Sequence, residues 1–315
     1  MIATPASISA IVVSYNVAAL LRLCLASLCA ARDAGELSEI IVVDSSSMDG
    51  SVELARREFP EIVIEVVPNR GFGAAVNVGM ARATGDALLI LNPDTEVCPG
   101  AAATLARALF AGASVGAVGP RLVYPNGIEQ PTRRRFPSRW TPIFESTVLE
   151  DWFPRNRWVR SYRMLESAEA DVERARSVDW LVGAALMIKR EVVDITGGFD
   201  DSFFLYGEEL EWCHRIRRHG WEIHYVPEAT IVHHEGASTS QDRLGSRLAF
   251  DRGRVRAQRA LHGRAVARRT AWLLKLNFGI QLLREALKWV VGHRRDLRRR
   301  RIAQYWTLLK SRLDE

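Results

Sequence analysis

The stretch that decides the fold is residues 8–44, ISAIVVSYNVAALLRLCLASLCAARDAGELSEIIVVD. It opens with a β-branched apolar run at residues 8–13, and leucines then recur at helical spacing across residues 17–31. A second apolar run follows at residues 40–44. Short apolar runs that alternate with helical periodicity indicate βαβ units, whose parallel strands are buried on both faces. The stretch therefore predicts a strand, a crossover helix and a second, parallel strand.

The same alternation continues outward along the chain. It predicts a helix, a strand, a helix and a strand at residues 49–59, 62–67, 72–83 and 87–91. Further along, it predicts a strand-like run at 180–188, a helix within 203–218, short strands at 221–226 and 229–232, and long helices from about 244. Residues 120–178 are irregular and rich in proline and arginine. We therefore expect an α/β fold, a mostly parallel Rossmann-like sheet flanked by helices, followed by a basic C-terminal helical segment.

Polar side chains stand where four predicted strands end. They are Ser14 to Asn16, Asp44, Asn69 and Asn92 to Asp94. Ligands of such sheets bind beyond the carboxyl ends of the strands. The sequence therefore predicts one ligand site at this edge of the sheet.

Asp94, in LLILNPDTE, and Asp44, in VVDSSSMDGS, each allow two interpretations. A carboxylate at the end of a buried strand can bind a hard cation that bridges phosphates, and we assign this to Asp94. At Asp44 the carboxylate can instead accept the N3–H of a pyrimidine base. The alternative for both is a structural aspartate that caps a helix or closes a turn.

Glycines and acids mark two further candidate segments. Gly71, in NRGFGAAVNVG, is a candidate for close approach of the backbone to a phosphate at a helix N-terminus, and plain strand-to-helix packing is the alternative. No GxGxxG follows the first strand, so the dinucleotide fingerprint is absent. Glu208, Glu209 and Glu211 open a predicted helix, where the helix dipole alone favours acids. We favour a functional role for Glu209 and leave that of Glu208 open.

His233 and His234 close the apolar run ATIVHH. A lone histidine at a strand end is more often a structural residue than a ligand. In a chain that also offers Asp94, its neutral imidazole can complete a metal shell. The sequence therefore leaves both interpretations of His233 open.

The charge is divided unevenly between two parts of the chain. The net charge is +6, but residues 251–315 contain 18 Lys/Arg and 5 Asp/Glu, a net +13. Basic helices with tryptophans and leucines are typical of membrane-surface elements. A packed helical pair with a solvated basic face is the alternative, and no recognised module supports nucleic-acid binding. No stretch approaches the roughly 18–20 apolar residues of a membrane span.

These motifs, in this order from about Ile8 to Ser240, resemble family 2 glycosyltransferases of the GT-A fold, closest to the bacterial rhamnosyltransferase-like branch. The motifs are VVSYN, VVDSSSMDGS, NRGFGAAVNVG, LNPDTE, and the late block GGFDDSFFLYGEELEWCHR with VHHEGAS. The resemblance implies a GT-A domain at 1–243, with a donor half at about 1–120 and an acceptor half at about 121–243. Residues 244–315 form the basic helical region.

The resemblance also implies roles for individual residues. The donor nucleotide would contact Ser14, Asn16, Asp44, Asn69, Gly71, Asn77 and Asn92. Asp94 and His233 would hold Mg²⁺ or Mn²⁺, with Glu96 as a further candidate ligand. Trp180, Gly183 and Glu211 would border the sugar and acceptor pocket. Glu209, with Glu208 beside it, occupies the position of the family's catalytic base, where the family has Asp.

The function that follows is an inverting, metal-dependent transfer of a sugar from a dTDP- or UDP-sugar to a glycan or polyprenyl-diphosphate-linked acceptor. Rhamnose from dTDP-rhamnose, for cell-wall or surface polysaccharide, is the preferred donor, and a UDP-hexose or UDP-N-acetylhexosamine is the alternative. A pyrophosphorylase would carry a glycine-rich basic loop after the first strand, where this chain has SYN. An inactive binding or scaffold protein is the remaining alternative. We expect a cytoplasmic protein with peripheral contact to the inner, anionic membrane face.

Overall fold

The computed structural model describes residues 6–165, 176–235, 243–292 and 294–313. Its internal contacts divide these residues into two compact units. The first unit consists of 6–135, 176–204 and 208–235, and the second of 136–165, 205–207, 243–292 and 294–313. The second unit thus resumes close to the predicted boundary at 243 but also takes in residues 136–165. The two-domain division at 243 stays a proposal.

The predicted alternation of strands and helices is confirmed for the first part of the chain. In chain order the elements are β1 (Ile8–Ser14), α1 (Ala18–Asp33), β2 (Glu39–Asp44), α2 (Ser51–Glu58), β3 (Val63–Val66), α3 (Phe72–Arg82) and β4 (Ala87–Leu91). Their ends lie within two residues of the predicted ones. Hydrophobic periodicity is a local property, so it locates these elements without knowledge of their partners.

The later elements are less regular. They are β5 (Thr95–Val97), α4 (Ala101–Ala111), β6 (Val115–Val123), β7 (Arg133–Arg134), α5 (Thr141–Phe144), α6 (Val148–Trp152), α7 (Arg157–Tyr162), β8 (Arg176–Val178), β9 (Trp180–Leu181), β10 (Ala185–Lys189), α8 (Arg190–Thr196), α9 (Glu208–Arg218), β11 (Glu222–His233), α10 (Arg243–His262), α11 (Arg264–Val290) and α12 (Arg295–Lys310). The two short strands predicted at 221–226 and 229–232 are one strand, β11. Its register on β6 shifts between Val226 and Thr230, which interrupts the apolar pattern.

The first unit is built on one mixed sheet with the strand order β3-β2-β1-β4-β10-β6-β11-β5, and β8 also pairs with β11. Strands β3, β2, β1 and β4 run parallel to one another. Strand β10 lies antiparallel between β4 and β6, and β6 runs parallel to β11. This confirms the predicted α/β class with a mostly parallel sheet flanked by helices.

The core of the first unit lies against both faces of this sheet. Every residue of β1 and β4 is buried. Helix α1 buries Leu21, Cys24, Leu25 and Leu28, which share one side of the helix at i, i+3, i+4 and i+7. Burial of each such leucine stabilises the fold by about 2 kcal/mol. The sheet is therefore a rigid support for the loops at its edge.

The second unit contains the predicted long C-terminal helices. Its core consists of Val255, Ala267, Ala271, Leu274, Phe278, Leu308 and Leu313. The buried Asp251 carboxylate accepts from Arg247 and Arg254, so its charge is paired. The Val148 backbone N–H donates to the buried Asn277 side chain, which joins α6 to α11. Among the described residues, no helix is long and apolar enough to cross a membrane.

Candidate functional site

The carboxyl ends of three parallel strands meet at one edge of the sheet. The register pairs Ser14 with Asp44, and Val12 with Leu91. Because Asn92 and Asp94 directly follow Leu91, they leave the sheet beside the ends of β1 and β2. The structure therefore brings together the strand-end residues that the sequence predicts to meet.

The ends of β1 and β2 are tied to each other by hydrogen bonds. The Asp44 carboxylate accepts from the backbone N–H and the hydroxyl of Ser47, both at 2.7 Å. The Ser47 hydroxyl oxygen accepts from the Asn16 backbone N–H, and the Asn16 side-chain oxygen accepts from the Met48 N–H. Asn16 has a φ of 51°, which asparagine tolerates better than most residues. These bonds hold Asn16 and Asp44 in place, and nucleotide binding by either residue stays a prediction.

Ser14, the last residue of β1, has a buried hydroxyl at this edge of the sheet. Its side chain is fully buried, and its Oγ finds no hydrogen-bond partner among the described residues. A buried hydroxyl without a partner costs free energy, about 1–3 kcal/mol. Such a group is typical of a position that a bound molecule completes.

The glycine-rich turn lies against a different loop of the same unit. Gly71 has a φ of 104°, and a Cβ at this position would overlap the Phe204 carbonyl. The Phe72 N–H donates to that same carbonyl at 2.9 Å, and the Asn69 side-chain oxygen accepts from the Gly71 N–H. Glycine is therefore required here by backbone conformation and by close packing. Phosphate binding at this turn stays a prediction.

Asn77 connects α3 to the loop before α9. Its side-chain NH₂ donates to the Phe199 carbonyl and to the Asp201 carboxylate, and its oxygen accepts from the Phe199 N–H. All three bonds lie between 2.6 and 2.9 Å. They give Asn77 a structural role, and its predicted contact with the donor stays a prediction.

The turn after β4 meets the end of β11 through two carboxylate–imidazole pairs. His233 Nε2 lies 3.4 Å from Asp94 Oδ1, and both residues are buried. His234 Nε2 lies 2.7 Å from Glu96 Oε1. The Asp94 carbonyl accepts from the His234 N–H at 2.9 Å, which fixes the spacing between the two segments. Asp94 and His233, predicted as metal ligands, are thus side by side although they are 139 positions apart.

Gln130 determines which nitrogen of His233 carries the proton. The Gln130 NH₂ group donates to the His233 carbonyl at 2.7 Å, because a carbonyl can only accept. The Gln130 Oε1 therefore faces His233 Nδ1, at 2.8 Å, and Nδ1 must donate. In the neutral ring the lone pair is then on Nε2, the nitrogen that faces Asp94.

This arrangement fits a cation. A lone pair that faces a carboxylate is repelled by it unless a proton or a cation lies between them. The separation of 3.4 Å is longer than an ordinary charge-assisted hydrogen bond of about 2.7–2.9 Å. Adjacent ligands at about 2.1 Å from a metal lie about 3 Å apart, close to this value. The described residues contain no group of three or more His, Cys, Asp or Glu around one point, so diphosphate or water oxygens would supply the other ligands.

Glu209 stands next to this region. A Cβ at Gly183 would lie 3.3 Å from both Cβ and Cγ of Glu209, so Gly183 leaves room for the glutamate. The next residue, Ala184, accepts a hydrogen bond from the Asn92 N–H at 2.9 Å. Glu209 thus lies beside Gly183, and the residue after Gly183 is hydrogen-bonded to Asn92 in the turn that holds Asp94. Gly183, predicted to border the acceptor pocket, and Glu209, predicted as the catalytic base, are neighbours.

Glu208 differs from Glu209 in its surroundings. It is 4% exposed, whereas Glu209 is half-buried, and its Oε2 has no hydrogen-bond partner in the described part of the chain. Burial, and then the Glu209 carboxylate, raise the pKa of Glu208 well above its ordinary value. Both causes disfavour the charged form of Glu208.

The other two predicted pocket residues have structural partners. Both Glu211 oxygens accept from Arg215 Nε, at 2.8 and 2.9 Å, and Arg215 also donates to the carbonyls of Thr196 and Gly198. The buried Trp180 donates its indole N–H to the Arg135 carbonyl at 3.0 Å. These bonds account for Glu211 and Trp180 as packing residues, and their place in an acceptor pocket stays a prediction.

Sequence inspection did not single out Gln130 or Ser47. Gln130 lies in the irregular segment at 120–178, where no periodicity draws attention to a side chain. Ser47 is one of three consecutive serines in VVDSSSMDG, and nothing local distinguishes it from the others. Ser47 could have been found from its position three residues after the strand-end carboxylate Asp44. No local signal marks Gln130. Residues 236–238 of the motif VHHEGAS lie outside the described residues.

Comparison with known proteins agrees with this geometry. Residues 9–192, more than half of the chain, match the sequence profile described as Glycosyl transferase family 2. The N-acetylglucosaminyl-diphospho-decaprenol L-rhamnosyltransferase of Mycobacterium tuberculosis is 32% identical over 217 residues, which cover 64% of this chain and 68% of that protein. The low-salt glycan biosynthesis hexosyltransferase Agl10 of Haloferax volcanii is 24% identical over 239 residues, 74% of this chain and 71% of that one.

Solved structures of similar fold are glycosyltransferases as well. The mannosyltransferase PcManGT of Pyrobaculum calidifontis, solved with GDP-mannose and Mn²⁺, aligns with a TM-score of 0.52 at 19% identity, over 98% of this chain and 86% of that one. Glucosyl-3-phosphoglycerate synthase of Mycobacterium tuberculosis, solved with Mn²⁺ and UDP, aligns with a TM-score of 0.51 at 19% identity, over 80% and 78%. These likenesses confirm the GT-A fold. With the family match and the rhamnosyltransferase relative, they establish that this chain belongs to glycosyltransferase family 2 and is a glycosyltransferase of the rhamnosyltransferase-like kind.

Proposed function

We propose that this glycosyltransferase moves L-rhamnose from dTDP-rhamnose to a hydroxyl of a polyprenyl-diphosphate-linked glycan, with inversion at the anomeric carbon. The relative at 32% identity is by its name an L-rhamnosyltransferase that acts on N-acetylglucosaminyl-diphospho-decaprenol. This supports the donor sugar and the lipid-linked acceptor. Synthesis of cell-wall or surface polysaccharide at the inner face of the cell membrane is the setting that such an acceptor implies.

The observation that carries the proposal is the Asp94–His233 pair with its orienting Gln130. The turn that holds Asp94 is bonded through the Asn92 N–H to the carbonyl of Ala184, and Ala184 follows Gly183, the glycine beside Glu209. Asp94 and the Nε2 of His233 are the residues that would hold Mg²⁺ or Mn²⁺. The cation would supply positive charge to stabilise the departing nucleoside diphosphate. Glycosyltransferases of similar fold have been solved with Mn²⁺, which supports a divalent ion here.

Glu209 is the residue we assign as general base. Its carboxylate takes the proton of the acceptor hydroxyl while that oxygen bonds to the anomeric carbon and the bond from this carbon to the diphosphate breaks. One displacement inverts the configuration and leaves no sugar on the enzyme. Glu208 beside it is buried, and its raised pKa disfavours the charged form that a base needs, so we assign the role to Glu209.

The donor is tested by calorimetric titration of the full chain with dTDP and with UDP, each with and without Mn²⁺ or Mg²⁺. We expect dTDP to bind about tenfold or more tightly than UDP, because a pocket that fits the thymine methyl group gains that much from one methyl. Tight binding should require the metal, and binding without it should be weaker. The buried Ser14 hydroxyl and Asp44 lie at the strand ends where the nucleotide would bind.

The other outcomes are equally informative. Tighter binding of UDP would replace dTDP-rhamnose with a UDP-hexose or UDP-N-acetylhexosamine as donor. Failure of both nucleotides to bind, with or without metal, would overturn the transfer reaction for this chain and favour an inactive scaffold.

Replacement of Gln130 by Leu tests the metal site from its outer side. The leucine removes the acceptor for His233 Nδ1–H, so we expect the metal-dependent affinity for dTDP to fall about 10–100-fold. Affinity for dTDP without metal should not change. Calorimetry measures the affinity for dTDP with and without metal. The electron paramagnetic resonance signal of free Mn²⁺ measures how much of the metal is bound.

The matched control is Gln258→Leu. Gln258 is another buried glutamine, but it belongs to the second unit. This variant should leave Mn²⁺ binding unchanged. If Gln130→Leu instead weakens metal-free and metal-dependent nucleotide binding by the same factor, Gln130 supports the fold and does not orient a metal ligand.

A further inference from the structure

Helix α11 has a buried side and an exposed side, and the composition of the exposed side is unusual. The buried side carries Ala267, Thr270, Ala271, Leu274, Asn277, Phe278 and Glu285. Within it, Glu285 is bonded to Arg298 of α12 at 2.7 Å, so α12 packs on this side. The exposed side should then be polar, as in an ordinary surface helix. Instead it carries five large apolar residues.

These five residues, which we call the α11 stripe, are Trp272, Leu276, Leu283, Leu287 and Val290. Their exposed fractions are 63%, 47%, 59%, 59% and 67%. At about 100° per residue they fall within an arc of about 60°, and at about 1.5 Å per residue they extend over about 27 Å. Isolated exposed apolar residues are ordinary, but a continuous row of this length marks an interaction surface.

The charges around the stripe indicate what covers it. On α11 the exposed Arg264 and Arg268 stand beside the arc of the stripe, and residues 251–315 carry a net charge of +13. A second copy of this chain would bring the same positive charge against itself, which is unfavourable. An anionic lipid surface neutralises this charge and also accepts the apolar row.

We propose that the α11 stripe docks on an anionic bilayer, with α11 parallel to the surface and its apolar row among the upper acyl chains. The helix does not span the membrane. Apolar burial and electrostatic attraction act together in this mode of binding, so neither alone accounts for it. The inference concerns only the second unit, and it does not depend on the identity of the donor or the acceptor.

The test is flotation of the full chain with vesicles on a density gradient. The chain should float with vesicles that contain phosphatidylglycerol and stay at the bottom with pure phosphatidylcholine. Raising the salt concentration should weaken the association, because surface charges are screened over about a Debye length. The indole fluorescence should also be quenched by lipids brominated on the upper acyl chain, and part of this quenching should be lost in Trp272→Ser.

The decisive variant is Leu276→Asn, Leu283→Asn and Leu287→Asn combined. It keeps every charge, so its partition onto phosphatidylglycerol vesicles should fall on the order of 100-fold. The matched control replaces exposed apolar residues of the first unit, Leu23→Asn, Phe110→Asn and Ile195→Asn, and should float like the original chain. Circular dichroism and thermal unfolding show whether each variant is folded.

Three results would overturn the inference. The first is failure of the original chain to float with phosphatidylglycerol. The second is unchanged flotation of the folded stripe variant. The third is a dimer of the original chain in sedimentation that the stripe variant abolishes, without lipid binding, because this would assign the stripe to a second copy. Nucleotide titration of the same samples reports on the donor site separately, so failure of one proposal is distinguishable from failure of the other.

Discussion

Replacement of Asp94 by Asn is expected to weaken metal-dependent binding of dTDP about 100-fold or more. Asparagine keeps the shape of the side chain but removes the charge that a divalent ion requires next to His233 Nε2. A 100-fold loss corresponds to about 2.7 kcal/mol of binding free energy. The measurement is calorimetry with dTDP in the presence of Mn²⁺ and, separately, in the presence of a chelator.

The neighbouring pair offers a matched control. Glu96→Gln alters the other carboxylate–imidazole pair between the same two chain segments, in which the carboxylate is already bonded to His234. We expect it to change the affinity less than about threefold, within the range of an exposed ion pair. Equal losses for Asp94→Asn and Glu96→Gln would mean that both carboxylates reach the ion. No loss for Asp94→Asn would remove the metal site from the strand edge.

Replacement of Glu209 by Gln is expected to lower kcat about 1000-fold while nucleotide affinity stays unchanged. The amide cannot take a proton from the acceptor, and a positioned base contributes about 100- to 10,000-fold to a rate. Asp at this position, the family's usual residue, should retain part of the activity, because its carboxylate stands one methylene further back. Steady-state rates of sugar transfer, with dTDP titration of the same samples, check this prediction.

Glu208→Gln separates the two adjacent acids. The raised pKa of Glu208 means that the folded protein holds this proton more tightly than the unfolded chain. Stability from this group is therefore present at low pH and is lost as the pH rises. Gln cannot ionise, so this loss is absent in the variant. The thermal stability of the variant minus that of the original chain should therefore be larger at pH 8 than at pH 5, and the variant should keep most of its kcat. A 1000-fold loss in Glu208→Gln, with full activity in Glu209→Gln, would reverse the assignment of the base.

The first half of the fold could be predicted because its information is local. The β-branched run of β1 and the i, i+3, i+4, i+7 leucines of α1 express their own periods. The convergence of Ser14, Asp44 and Asn92 on one edge also follows, since parallel strands joined by right-handed crossovers all end on the same side. The insertion of β10 antiparallel between β4 and β6 could not be predicted in this way. Pairing partners depend on the whole sheet, and a short apolar run is compatible with either direction.

For the candidate site, the amino-acid sequence by itself determined which residues are strong candidates: Asp94, His233, Glu209 and the strand-end polar residues. Their type and their position after apolar runs are enough for that. Only the tertiary structure decided what each one does beside its neighbours. It paired Asp94 with His233, set the His233 tautomer through Gln130, and placed Glu209 against Gly183. It also buried Glu208 and held Asn77, Asp44 and Glu211 by hydrogen bonds. The physical reason is that protonation and ligand geometry depend on distances of a few ångströms between groups far apart in the chain, and no local period records such distances.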